Sequence, residues 1–166
     1  MGSLIQSVKL KFFILVLLIL LPFFYACSWQ EVFAIMNNCE KELLVEYSIE
    51  YPVKGFPIFS NTPSIYKIKK NGRIDYGNII EVQDMDTSYA KIKLNIPPKC
   101  ALVFGVLSND HYEKFNQYFI NCRKFNLIQM QINQKDAPLI IKPETFDTFF
   151  KKDKGVISWM SKKNNM

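Results

Sequence analysis

Leu43-Leu44-Val45-Glu46-Tyr47-Ser48-Ile49-Glu50-Tyr51 is the stretch that decides the fold class. Leu43, Val45, Tyr47, Ile49 and Tyr51 share one phase, while Glu46, Ser48 and Glu50 share the other with Leu44. Side chains of a strand alternate between two faces, so this period of two spells a strand with one dry and one wet side. Both tyrosines fall on the dry side. Pro52 stops the run, since proline cannot donate to a sheet ladder. On the N-terminal side, 32–36 (Val-Phe-Ala-Ile-Met) reads as a first strand ended by Asn37-Asn38, with 38–41 as a hairpin connection.

Toward the C-terminus the same signals recur. Residues 52–63, with Pro52, Gly55, Pro57 and Pro63, predict a loop. A short strand over 64–69 then runs into Asn71-Gly72, a pair that favours a type I′ hairpin, and 74–76 and 79–83 continue extended. Ala90, Ile92, Leu94 and Ile96 alternate with Lys91, Lys93 and Asn95 until Pro97-Pro98. The nearly unbroken apolar run 100–107 predicts a central strand covered on both faces. Asn109 or Asp110 is placed to cap a short helix through about Phe119. Further strands are expected over 124–132, 138–141 and 155–160, with a helical turn over 145–151 behind Pro143. Eight or nine short strands and little helix make an all-β, mainly antiparallel domain. An immunoglobulin-like β-sandwich with one or two short helices fits best, and a small β-barrel is the alternative. Trp29 and Trp159 stand far apart with no Cys…Trp…Cys spacing, so the likeness is one of architecture alone.

The N-terminus has a different character. Lys9 and Lys11 precede 12–26, F-F-I-L-V-L-L-I-L-L-P-F-F-Y-A, which holds no charge. As a helix this stretch would span about 22 Å, short of the roughly 30 Å hydrocarbon core, and Pro22 interrupts it. That order is the one of a secretory signal. Phe24-Tyr25-Ala26-Cys27 then sets a small residue just before a cysteine, and this end resembles the lipobox of the bacterial lipoprotein signal class. The resemblance covers 1–27 and departs at Phe24, where an aliphatic residue is commoner, and at the bulky Tyr25. It implies lipidation (palmitate-like acyl chains) on Cys27, which becomes the first residue of the mature chain. It also implies a membrane partner through that anchor and a place in the bacterial cell envelope. Ser28 rather than Asp after the cysteine points to the outer membrane before the inner. Two other readings of the same end are a secreted protein cleaved near Ala26 and a signal-anchored one that keeps 12–26 in the bilayer. The chain accordingly divides into a signal peptide (1–26), a tether (27–31), a β-sandwich domain (32–160) and a basic tail (161–166).

Among 166 residues, 21 Lys and Arg face 15 Asp and Glu, 49% are hydrophobic and 22% charged, a globular composition. The basic excess gathers at Lys151-Lys152, Lys154 and Lys162-Lys163, which reads as a solvated tail. No interleaved basic and aromatic motif points to nucleic acid. With Cys27 lipidated, Cys39, Cys100 and Cys122 can form one disulfide at most. No C-x-x-C occurs, and His111, the single histidine, lies eleven residues from both Cys100 and Cys122, so no metal site is implied, nor any cofactor.

Catalytic motifs are absent: no G-x-S-x-G, no H-E-x-x-H and no phosphate-binding glycine loop. An enzyme would have to rest on Asp110, His111 and a cysteine. Asp84 and Asp86 in a short polar turn read as solvated acids. Aromatic residues are dense between Tyr47 and Tyr89. Tyr47 and Tyr51 are expected in the core, whereas Phe56 and Phe59, in the Pro/Gly loop, are the candidate ligand contacts. The sequence therefore points to a non-catalytic, lipid-anchored envelope protein with an interaction domain for an unidentified envelope protein or glycan. The alternative is a glycan- or peptide-binding module that uses those exposed aromatics.

Overall fold

A computed structural model describes residues 28–81, 86–88, 90–133 and 137–161. The leader 1–27, with Cys27, lies outside them, as do Asp84, Tyr89 and the lysines at 162–163. The described chain is all-β with one short helix. Its elements are β1 (Gln30–Asn37), β2 (Leu43–Ile49), β3 (Phe56–Pro57), β4 (Phe59–Ile68), β5 (Ile74–Ile80), β6 (Asp86–Ser88) and β7 (Lys91–Ile96). There follow β8 (Cys100–Ser108), β9 (Arg123–Lys124), β10 (Leu127–Asn133), β11 (Pro138–Ile141), α1 (Pro143–Phe149), β12 (Lys151–Asp153) and β13 (Val156–Met160). One sheet runs β12-β13-β1-β8-β4-β5, a second β11-β10-β2-β7-β6, and β3 pairs with β9 in a small ribbon. Both larger sheets have open edges among the described residues, so the small closed barrel is not formed. No helix among the described residues is long and apolar enough to cross a membrane.

One core serves both sheets. Phe33, Ile35, Leu102, Phe104 and Ile157 from the six-stranded sheet meet Val45, Tyr47, Ile92, Leu94, Met130 and Ile132 from the five-stranded one. Period-two sequences build it: the alternate residues of β2 and β7 are buried and those between them are not. β8 lies inside its sheet between β1 and β4 and is buried on both faces up to Gly105, as its apolar run predicts. β1 does the same, because Val32, Ala34 and Met36 join a second apolar cluster with Ala101 and Val103 on the other face. Among the described residues, only β1 and β13, the first and last of the described strands, pair in parallel within the larger sheets.

Phe59 shapes the middle of the molecule. Gly105 on β8 has no side chain, and the Phe59 ring occupies that space: a Cβ at Gly105 would meet Phe59 Cδ1 at 2.8 Å and Ile58 O at 2.9 Å. The ring stacks on Phe104 (5.1 Å, 11°) and meets Phe125 edge-on at 4.8 Å. The buried Asn126 amide then acts as a substitute strand neighbour, accepting from Phe59 N–H at 2.8 Å and donating to Phe59 O at 3.1 Å. Phe59 pairs with Gly105, yet Ser64 already pairs with Val103, so 60–63 bulge out of the ladder.

Several expectations are corrected here. The 52–63 segment is not all loop, because β4 starts at Phe59. Tyr51 is 46% exposed, since β2 ends at Ile49 and the chain turns at the cis Tyr51-Pro52 bond. The Asn71-Gly72 turn is not type I′. Gly72 takes φ +79° while Asn71 does not take positive φ, and Lys69 N–H reaches Arg73 O at 2.8 Å, which is a three-residue turn closed by a glycine bulge. No helix forms over 109–119, where side chains of Asp110 and Gln117 bind the backbone N–H groups a helix would need. The 124–132 run breaks at Phe125-Asn126, where Asn126 turns inward. The strands number more than the eight or nine expected because β3, β6, β9 and β12 are only two or three residues long.

Two glycines test the contact at Phe59. Gly105→Ala is expected to cost about 1–3 kcal/mol in urea unfolding, because ring and backbone must both give way. Gly77→Ala on β5, where a Cβ would meet only Asp75 Oδ1 at 3.6 Å, should stay within about 0.5 kcal/mol of wild type.

Candidate functional site

Two places concentrate polar chemistry, and both follow from local strand geometry. The first is an ion cluster on Glu31. Glu31 is in phase with Phe33 and Ile35, so β1 turns its carboxylate toward the interior, where it is 4% exposed. Oε1 lies 2.6 Å from Lys152 Nζ and 2.9 Å from His111 Nδ1, and Oε2 accepts from Tyr112 N–H at 2.8 Å. Burial alone would raise this carboxyl, but the hydrogen bonds from His111, Lys152 and Tyr112 N–H, with the Lys152 charge, outweigh it and hold it below the usual carboxylate value. Around it, Trp29 stacks on His111 at 5.1 Å, and Tyr112 Oη donates to Asp147 Oδ1 at 2.5 Å. Burial and the Asp147 hydrogen bond both push the Tyr112 hydroxyl up, so it stays a donor. Strands β1 and β12, segment 109–122 and helix α1 are tied together by this cluster.

The second place is a groove of about 410 Å³ beside the β4 bulge. Ser60, Asn61, Thr62, Tyr51, Tyr66 and Arg123 supply its polar and aromatic groups, with Gly105 and Val106 among the apolar ones. Tyr47 Oη donates to Ser60 O at 2.7 Å, and Thr62 N–H donates to Ser60 Oγ at 2.9 Å, so the bulge is held from both sides. Arg123 lies in the β3–β9 ribbon with its Cζ 5.5 Å from the centroid of the Phe56 ring, and its Nε is buried without a hydrogen-bond partner. Such an orphan donor is costly unless something accepts from it. Gly55 permits the ribbon: at φ +102° it approaches Cys122 O so closely that a Cβ would stand 2.8 Å away.

The residues singled out from sequence are therefore divided. Phe56 is 62% exposed and stands at the groove through Arg123. Phe59, expected exposed in a loop, is instead a core residue at 1% exposure, at the inner wall of the groove. Asp110 and His111 do not assemble with a thiol. The Asp110 carboxylate accepts from the N–H groups of His111 and Asn121, and His111 is turned to Glu31. Cys100 opens β8 whereas His111 follows its far end, roughly 25 Å of strand away. Burial also raises the Cys100 thiol, an effect the Lys67 charge only partly offsets, and its Sγ lies 3.3 Å from Pro98 O. Cys122 is exposed beside the ribbon, and Cys39 Sγ donates to Ser161 Oγ at 3.4 Å. No disulfide links Cys39, Cys100 and Cys122 to one another. Among the described residues no group of three His, Cys, Asp or Glu side chains is gathered as for a metal.

Lys152, read as tail, is a structural cation, and β1 takes in Gln30 and Glu31, two residues before the expected start of the domain at 32. Ser161 likewise belongs to the fold, its N–H bound to Met36 O at 3.0 Å. The Glu31 cluster did carry one signal in the sequence: an acid in phase with two core residues of β1. No protein-family profile, curated protein or solved structure matches this chain.

Glu31 sets an acid-stability expectation. Its carboxyl titrates lower in the folded chain than its ordinary value of 4.5, so its contribution is complete above that value and disappears as pH falls through the folded one. Glu31→Gln should lose about 1–3 kcal/mol at neutral pH and show a shallower loss on acidification. Urea unfolding across a pH series reads both effects.

Proposed function

We propose that this protein is a lipid-anchored component of the bacterial cell envelope, and that its domain, an immunoglobulin-like β-sandwich, works by binding rather than by catalysis. The observation that carries the reading is the spacing at the N-terminus. Cys27 of the lipobox-like Phe24-Tyr25-Ala26-Cys27 stands three residues before Gln30, the first residue of β1. Cleavage before that cysteine would leave every described element in the mature chain. Two or three acyl chains, at about 0.8 kcal/mol per buried methylene, would hold such a chain stably on a bilayer. Two sheets around a common core support the sandwich part of the reading.

The groove favours a second, more specific reading, in which the domain takes a glycan or an extended peptide. Its mix of hydroxyls, an amide and tyrosine rings suits polar ligands with an apolar face, and the Arg123 side chain lines it as well. The Phe56 ring lies against the Arg123 guanidinium.

Labelled palmitate supplied to cells making the full chain should enter wild type and be lost in Cys27→Ala. An unlabelled wild type, with Cys27→Ala fractionating with membranes just as wild type does, would remove the anchor. For the groove, glycan-array or peptide-library binding should fall at least about tenfold, roughly 1.4 kcal/mol, in the Phe56→Ala/Arg123→Ala double variant. Binding that is indifferent to both substitutions places the ligand elsewhere.

A further inference from the structure

The chain enters the fold at a definite end of the six-stranded sheet. Gln30 pairs with Ser108, and Val32 N–H reaches Gly155 O at 2.9 Å, so the start of β1, the end of β8 and the β12–β13 turn lie together. Asn37 and Cys100 mark the opposite end, beyond which lies the polar turn Lys69-Lys70-Asn71-Gly72-Arg73. Trp29 and Gln30 therefore mark where the chain enters the fold, and Cys27 precedes Gln30 by three residues in sequence.

Segment 109–122 covers that end without helix or strand of its own, and polar side chains hold it in shape. Asn121 Nδ2 donates to Asn109 O at 2.9 Å, Gln117 Nε2 donates to His111 O at 2.6 Å, and Gln117 Oε1 accepts from Lys114 N–H at 2.8 Å. Trp29 is bound into the same network, with Asn109 N–H on its carbonyl at 3.0 Å and its Nε1 donating to Asp110 O at 3.3 Å. Among exposed polar residues such as Asn109, His111, Glu113 and Asn116, this framework also turns large apolar side chains outward: Tyr118 is 101% exposed, Ile120 87% and Trp29 45%. Ile120 adjoins Asn121, whose side chain grips the same Asn109 that binds Trp29.

We propose that Trp29, Tyr118 and Ile120 form a docking surface that inserts into the interfacial layer of the bilayer carrying the Cys27 lipid. This rests on the lipid-anchor reading above. Trp and Tyr partition to the headgroup level, where ring and polar tip are both satisfied, and an aliphatic side chain beside them reaches the acyl boundary. The charges nearby nearly balance, Lys114, Lys151, Lys152 and Lys154 against Glu31, Glu113 and Asp153. Docking therefore draws on the apolar side chains, and neither anionic lipid nor low salt is needed. The lipid keeps the protein on the membrane, and this surface sets how the domain stands on it.

The test uses full-chain, processed protein in phosphatidylcholine vesicles, with and without lipid brominated near the headgroup. Tryptophan emission is read beside the fatty-acid content of Cys27. Trp29→Phe leaves the buried Trp159 as the baseline. The expected result is acylated protein whose Trp29 emission is blue-shifted, roughly halved by the brominated lipid and unchanged in about 1 M salt. The Tyr118→Ser/Ile120→Ser variant should lose most of that quenching while keeping its acyl content and unfolding midpoint. Acylated protein with unquenched Trp29 overturns the docking and leaves the anchor standing. Quenching that appears only with anionic lipid and vanishes in salt overturns the apolar mode, and unacylated Cys27 overturns docking and anchor together.

Discussion

The contact between the Phe59 ring and the bare backbone of Gly105 is the constraint on which the centre of this fold depends. It brings Phe59, Phe104 and Phe125 into one aromatic packing unit. With the ring drawn inward, the Phe59 backbone faces Asn126 instead of a neighbouring strand, so β10 begins only after that residue. The ladder to β8 resumes at Ser64, and the surplus residues between are displaced into the wall of the groove. A side chain packed in the core thus opens a depression on the surface. The hydroxyls of the bulge line the groove, with Phe59 at its floor.

Glu31 plays the matching part at the edge of the core. A buried carboxylate needs compensating partners, and its three come from two stretches far along the chain, 111–112 and Lys152. Lys152 also donates to Tyr112 O at 3.0 Å, so the ion pair closes a ring of contacts instead of ending in solvent. The sheet edge formed by β12 and β13 is joined in this way to the loop that follows β8. Tyr112 and Phe146 then extend the aromatic core beneath that loop, with ring centroids 6.0 Å apart.

The all-β class and most strand positions were legible because β2 and β7 alternate cleanly and β8 does not alternate at all. Phe56 was legible as an exposed ring for the same local reason, a Pro/Gly context. Phe59 was not, since its burial depends on a glycine 46 positions later that reads on its own as one more residue of an apolar strand. The 109–119 segment misled in the opposite sense: residues that cap helices also bind loop backbone, and Asp110 and Gln117 do the latter. Arg123 is positioned by β3 and β9, each two residues long and below the reach of any periodicity. Lys152 could not be told from its neighbours, because charge alone does not reveal which lysine has a buried acid waiting.

The parallel pairing of β1 with β13 bears on the order in which the molecule can be made. β1 is the first of the described strands, yet its neighbours on either side are β8 and β13, so neither of its edges can be paired until β8, and finally β13, has emerged. Contacts of such long sequence separation carry a large loop-closure cost and slow the approach to the native state. The β1–β8, β4–β8 and β2–β7 pairs can close once residue 108 has been made, and what waits for β13 is the second edge of β1.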